Sequence, residues 1–242
     1  MTRRDPGRAR AIPSPFFILI VGAVWGMAVL VALPAPSVQA TTADEEARAM
    51  IRPLLSAGEV VASVTIERSD PFGGDPDRET GKLWFIPGRG LRYQSTGKNA
   101  QDILADRERQ AFFLYDKSQG KVYRAPFERA PARIRALILD PEQTVNRDLR
   151  AVPETRTIAG RPRAGYRVRS AGSPESSAVA VWIAADPASK LPRWIAFASE
   201  AESLLVELRD ATLRKTPRLS DLVLSAPKGT PEEALDPREL LR

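Results

Sequence analysis

Cysteine and histidine are both absent from the 242 residues. Without cysteine there is no disulfide, no lipidated N-terminal cysteine, no thiol nucleophile and no thiolate metal site. Without histidine the chain lacks the usual general base near neutral pH and the commonest metal ligand. These absences exclude a histidine-ligated metal hydrolase and a Ser-His-Asp triad, and neither metal nor cofactor is expected. A strong excess of one charge is also missing. Residues 1–40 carry Arg3, Arg4, Arg8 and Arg10 against Asp5, and the remainder carries 32 basic and 29 acidic residues. That balance gives no electrostatic reason to expect nucleic acid as a partner. Aromatic residues make up only 7% of the chain, so any cluster of them is a local feature.

One long apolar run is present. Phe16 to Leu33 follows a basic stretch, Pro34 and Pro36 break any helix, and Val38-Gln39-Ala40 offers small residues for a signal peptidase. This reads as an export signal over 1–40 with cleavage after Ala40. The run is also long enough to act as an uncleaved inner-membrane anchor with its arginines on the cytoplasmic side. Either way the rest of the chain is expected in the periplasm.

After this segment, Thr41-Thr42-Ala43-Asp44-Glu45 reads as a helix start, Ala47, Met50, Ile51, Leu54 and Leu55 recur at helical spacing, and Gly58 stops the run, which predicts an amphipathic helix over 43–56. Alternation over Glu59 to Arg68 predicts a strand. Ser69 to Arg78, rich in Gly, Pro and Asp, reads as a loop. Strands are then expected at about 80–86, 90–95, 101–105, 110–116 and 120–124, separated by short turns. Two helical stretches follow, over 131–139 and 141–149. Further strands are expected at 151–158, 164–170, 178–184, 193–198, 203–213 and 219–224. A Pro- and charge-rich tail follows Pro227, with room for one short helix. The domain is placed at 41–230 and the polar tail at 231–242. Short connections favour antiparallel neighbours, and eleven or so twisted strands cannot lie flat. The expected fold class is α+β, mainly β: a strongly curved antiparallel sheet forming an unclosed half-barrel covered by a helical lid.

The stretch Gly81 to Ala125 concentrates the aromatics: Trp84, Phe85, Tyr93, Phe112, Phe113, Tyr115 and Tyr123. Three motifs carry a family resemblance. They are Gly81-Lys-Leu-Trp-Phe-Ile-Pro-Gly-Arg-Gly-Leu-Arg-Tyr93; Asp102 to Asp106 with Phe113-Leu-Tyr-Asp116 and Gln119; and Val181-Trp-Ile with Asp186-Pro187 and Leu191-Pro192-Arg193. The ending Ala226-Pro-Lys-Gly229 also fits. The chain resembles the periplasmic outer-membrane lipoprotein carrier family, LolA-like. The resemblance implies a curved sheet whose apolar hollow holds lipoprotein acyl chains, with an inner-membrane transporter as donor and an outer-membrane acceptor as partners, and a monomer. It has two departures. Ile86 stands where the family's carriers often place a lid-gating arginine, and Arg89 and Arg92 cannot be assigned that role. The family's Asp-Gly turn is Asp106-Arg107 here.

A hollow suits the physical problem, since burying a sixteen-carbon chain is worth on the order of 12 kcal/mol. The candidate lining residues are Leu83, Phe85, Leu91, Tyr93, Ile103, Phe112, Leu114, Val122 and Trp182. Met50, Leu54, Ile134, Leu137 and Ile138 are the candidate lid residues. Apolar strand positions also serve ordinary core packing. Asp102, Asp106, Asp116 and Asp140 could do acid–base work but show no diagnostic spacing. Gly120-Lys121 and Gly88-Arg-Gly90 are fragments of phosphate-binding motifs and read better as hairpin turns. Arg124, Arg129, Arg133 and Arg135 form a solvated face, or meet anionic headgroups or a partner. The alternative to a carrier is a membrane-anchored envelope sensor or interaction module of the same fold. An enzyme is not expected.

Overall fold

The computed structural model describes residues 42–69, 74–97, 100–129, 145, 149–170, 180–198 and 203–235. The export segment, the lid candidates Ile134, Leu137 and Ile138, and Asp140, Arg133 and Arg135 lie outside the described residues. Among the described residues, no helix is long and apolar enough to cross a membrane.

Helix α1 is Thr42–Ser56. Its stripe of Ala47, Met50, Ile51 and Leu54 is buried, and Asp44 and Glu45 favour its positive N-terminal end. The strands are β1 (Glu59–Arg68), β2 (Asp77–Ile86), β3 (Gly90–Thr96), β4 (Gln101–Asp106), β5 (Ala111–Asp116), β6 (Lys121–Pro126), β7 (Leu149–Ile158), β8 (Arg161–Ser170), β9 (Ala180–Ala185), β10 (Pro192–Ala198), β11 (Ser203–Arg214) and β12 (Glu232–Ala234). They form one sheet in the order β12-β6-β5-β4-β3-β2-β1-β11-β10-β9-β8-β7. Two antiparallel meanders are thus joined through β1 and β11, and the ends β12 and β7 do not pair with each other.

One core cluster contains inner-face residues from β6 to β7 together with the α1 stripe. A flat sheet of this strand number would be about 50 Å wide at ~4.8 Å per strand. The one α-helix of defined extent among the described residues, about 10 Å thick, cannot cover that. The sheet must therefore curl around α1, and the architecture is an unclosed half-barrel with a helix against its inner face.

Three hairpin turns share one construction. Asp106 accepts the N–H of Glu108 and Arg109, Asp116 those of Ser118 and Gln119, and Asp186 those of Ala188 and Ser189. The fourth residue after each aspartate is left-handed: Gln110 at φ 50°, Gly120 at φ 63° and Lys190 at φ 62°. Arg107 therefore needs no glycine, because the left-handed position falls three residues later. Left-handed backbone is costly for a residue with a Cβ. Lys190→Gly is expected to stabilise the protein by about 0.5–1 kcal/mol, read as a rise in thermal midpoint of a few degrees.

One expectation is corrected. Residues 219–224 are not a strand: Leu219–Leu222 is a short 3-10 turn followed by extended chain. Side chains of the sheet, rather than a neighbouring strand, satisfy this backbone. Arg92 donates to the Asp221 carbonyl at 3.3 Å, and Asp102 accepts the Ser225 N–H at 2.6 Å. The tail is described as far as residue 235, and its remaining residues 236–242, with the short helix expected in it, lie outside the described residues. It forms β12, parallel to β6, where Glu233 meets Lys121 and Glu232 lies 3.8 Å from Arg124.

Candidate functional site

The inner face of the sheet is built from cross-strand ladders. Leu83, Tyr93, Ile103, Leu114 and Tyr123 lie opposite one another across β2 to β6, as do Phe85, Leu91, Ala105, Phe112 and Ala125. In the other half, Val206, Ile195, Ile183 and Tyr166 form a ladder, as do Leu204, Phe197, Val181, Val168 and Ala151. Because side chains alternate, these ladders present one continuous apolar surface. Seven predicted lining residues (Leu83, Phe85, Leu91, Tyr93, Ile103, Phe112 and Leu114) share this surface with Met50 and Leu54 of α1.

Val122 and Trp182 do not. Val122 packs on the outer face with Leu104, Ala111 and Phe113, and Trp182 packs there with Ala184, Trp194 and Ala196. Each is one position out of phase with the inward residues of its strand, Tyr123 and Ala125 in β6 and Val181 and Ile183 in β9. A shift of one residue moves a side chain to the opposite face.

Tyr93 closes one part of the inner surface. It is fully buried, and its ring lies where a Cβ on Gly81 would stand, 2.7 Å from that position. Gly81 is therefore required by the close approach of the ring. The Tyr93 hydroxyl donates to Glu79 Oε1 at 3.0 Å. Burial raises the Glu79 carboxyl above its ordinary range, and burial followed by the adjacent carboxylate raises the Tyr93 phenol.

Helix α1 is hung on the open edge of the sheet by polar side chains. Asp44, 1% exposed, accepts the Ala151 N–H at 2.6 Å, and Arg48, 6% exposed, donates to the Leu149 carbonyl at 3.0 Å. These backbone groups belong to edge strand β7 and point away from β8, so helix side chains supply what a further strand would have supplied. A third contact runs from the Tyr166 hydroxyl to Glu46, which raises the phenol to about 12.

The wall also has a notch. β10 pairs with β11 from Trp194–Glu207 to Ala198–Ser203 and begins at Pro192, whose nitrogen has no hydrogen to donate. β11 continues to Arg214. A cavity of about 300 Å³ lies between β11 and the β9–β10 turn, with Leu191, Leu208 and Ala211 below a rim of Asp186, Arg193, Arg209 and Asp210. Leu191, Leu208 and Ala211 also pack in the inner core, so the notch joins the outside to the inner surface. At its rim, the Ser189 N–H, Arg193 and the Ala188 N–H hold the Asp186 carboxyl down to about 2, from an ordinary 3.8. A depressed carboxyl stabilises the fold above its unfolded-state value. That contribution is expected to be lost as pH falls from about 4 towards 2. Asp186→Asn should flatten this part of a plot of thermal midpoint against pH.

Asp102, Asp106 and Asp116 each hold neighbouring structure. Asp102 is fully buried and forms a two-pronged pair with Arg92, both contacts at 2.8 Å, while Asp106 and Asp116 hold turns. Arg92 lies on the outer face, stacked 4.9 Å from the Trp84 ring, so it cannot act as an inner-face gate. Ile86 is buried opposite Gly90 at the end of the β2–β3 hairpin. Gly88 and Gly120 are left-handed turn residues. Among the described residues, no group of acidic side chains could hold a metal ion.

No protein-family model matches the chain, and no curated protein sequence matches it. Solved structures with similar architecture exist. An uncharacterised conserved protein from Thermus thermophilus is 13% identical, with a TM-score of 0.49 over 81% of this chain and all of that one. A LolA superfamily protein from Nitrosomonas europaea is 12% identical, with a TM-score of 0.40 over 74% of this chain and 96% of that one. MucB, solved in complex with MucA(peri), is 14% identical, with a TM-score of 0.41 over 76% of this chain and 60% of that one. These likenesses concern the fold alone. The strand order and the covering helix give the unclosed half-barrel that the three sequence motifs implied.

Proposed function

We propose that the protein is a periplasmic carrier that shields acyl chains of lipoproteins or lipids between α1 and the inner sheet face during transfer toward the outer membrane. The observation that carries this reading is the apolar inner surface, continuous across eleven strands and covered in part by a helix hung on the sheet edge through polar contacts. Such a cover can move without breaking a strand ladder, and a curved apolar wall receives an acyl chain without catalytic groups. Ile134, Leu137 and Ile138 are proposed to complete the lid. The notch beside β10 supplies a polar-rimmed opening through which the cargo's headgroup end would project. Donor and acceptor would be an inner-membrane transporter and an outer-membrane acceptor.

Native mass spectrometry of the exported protein, purified gently from cells, tests this reading. Co-purified acyl-bearing species, or saturable binding of a diacylated peptide, are expected. An empty chain that fails to bind acylated peptides overturns it. N-terminal sequencing of the same material separates a shuttle, with a start at Thr41, from a chain that keeps residues 1–40 as an anchor. A retained anchor together with an empty domain would favour the sensor reading.

A further inference from the structure

The mild net charge of +6 over the whole chain hides a concentrated positive surface. Hairpin β7–β8, residues 149–170, carries six arginines and one glutamate, a net charge of +5. Outside it, residues 41–148 and 171–242 together carry 26 basic and 28 acidic residues. Alternation puts these arginines on the outer face, because Ala151, Tyr166 and Val168 take the inner one. Register brings them into one array: Arg156 is opposite Arg163, Arg150 is opposite Arg169, and Arg161 and Arg167 lie along the same side of β8. Neighbours on one strand face are about 7 Å apart and adjacent strands about 4.8 Å.

Among the described residues, the ion-paired countercharge on this face comes from few carboxylates. Glu154 meets Arg156 at 2.6 Å and Arg167 at 3.5 Å, and Arg150 reaches Asp44 at 3.6 Å, beside α1. Farther across the sheet, Glu207 is held by Arg193 and Arg209. Tryptophans fix part of the array from below. Arg163 stacks 4.5 Å from the Trp194 ring, and Arg156 lies 5.7 Å from that of Trp182. A stacked guanidinium keeps its N–H edge free for an oxygen anion and is weakly hydrated. Val152, 42% exposed, lies among the arginines on β7.

We infer that the outer face of hairpin β7–β8 is a docking surface for a membrane bearing anionic phospholipid headgroups. The array is a two-stranded ribbon of single-sign donors with an exposed apolar side chain among them. That form matches many phosphates in a plane, and guanidinium groups bind phosphate oxygens in pairs. A basic side chain near an anionic bilayer contributes about fivefold in affinity, and the attraction weakens with salt. The inference does not depend on the carrier reading, since the hairpin's outer face is opposite the proposed acyl surface.

Flotation of the full chain with vesicles of phosphatidylcholine, with and without one-third phosphatidylglycerol, tests it. Tighter binding to the anionic vesicles is expected, with loss of the difference as salt rises from about 0.05 to about 0.5 M. Arg161→Glu with Arg167→Glu, both exposed, should weaken anionic-vesicle binding at least 20- to 30-fold. Arg89→Glu with Arg218→Glu, also exposed, changes the net charge equally and should leave it within a few-fold. Thermal midpoints of both variants check that each is folded. Equal binding to both vesicle types, or equal loss in the two double variants, overturns the inference. So does binding of polyglutamate without binding of anionic vesicles, which would assign the face to an acidic polypeptide. Apolar residues 16–33 are the same in every variant, so they cannot produce a difference between them.

Discussion

Asp102→Ala is expected to destabilise the domain by about 3–5 kcal/mol, the usual result of removing one partner from a buried ion pair. Asp102 is fully buried, and its partner Arg92 has a side chain only 11% exposed. Without the carboxylate, the guanidinium would keep its desolvation penalty and lose its bidentate acceptor. The Ser225 N–H, 2.6 Å from Asp102, would lose its acceptor as well. That bond helps hold residues 219–226 across the outer face, where Leu222, Leu224 and Ala226 pack on the cluster of Leu104, Ala111, Phe113 and Val122. The loss should therefore spread to the C-terminal segment. Chemical denaturation gives the change in stability, and hydrogen exchange should show residues 219–226 losing protection along with β3 and β4. Replacing both partners, Arg92→Met with Asp102→Leu, should cost less than Asp102→Ala alone, because no charge is then left buried. A double-mutant comparison in which the pair is as costly as the single change would contradict this account.

Tyr93→Ala should be of similar size, about 3–5 kcal/mol, as for other fully buried aromatics. Tyr93 is 0% exposed and covers Gly81, which has no side chain to fill the space left behind. The hole would open between β2 and β3 on the inner surface. Tyr93→Phe separates packing from polarity. It keeps the ring and removes only the donor to Glu79, so about 1 kcal/mol is expected. The two denaturation midpoints, measured together, check both numbers. A Phe variant as unstable as the Ala variant would show that the hydroxyl, not the ring, dominates.

The strand pattern was legible in the sequence because turn residues and alternation are local signals. Asp106, Asp116 and Asp186 mark their turns through side-chain bonds to the next few backbone N–H groups. Where a local signal was ambiguous, reading failed. Ala111 to Tyr115 is apolar on both faces because the outer face has its own cover, residues 219–226. From residue types alone, nothing separates Phe112, which packs in the inner core beside Phe127, from Phe113, which faces that cover. The sequence points Val122 and Trp182 inward for the same reason. The cover looked like a twelfth strand because its apolar residues alternate. Its backbone instead bonds to Arg92 and Asp102, which are more than 100 residues away along the chain. The clustering of arginines was visible as every-other-residue spacing in β8, but summing charge over the whole chain concealed it.

By itself, the sequence determined helix α1, the approximate strand positions, the turn positions and the absence of thiol and imidazole chemistry. Each of these depends on neighbours within a few residues. Only the tertiary structure decided which face of each strand is inner, what covers the outer face, how α1 is fastened to β7, and that six arginines stand on one side of one hairpin. Those outcomes follow from pairing register. A single-residue shift reverses every side chain on a strand, and the register is set by contacts between strands far apart in the chain.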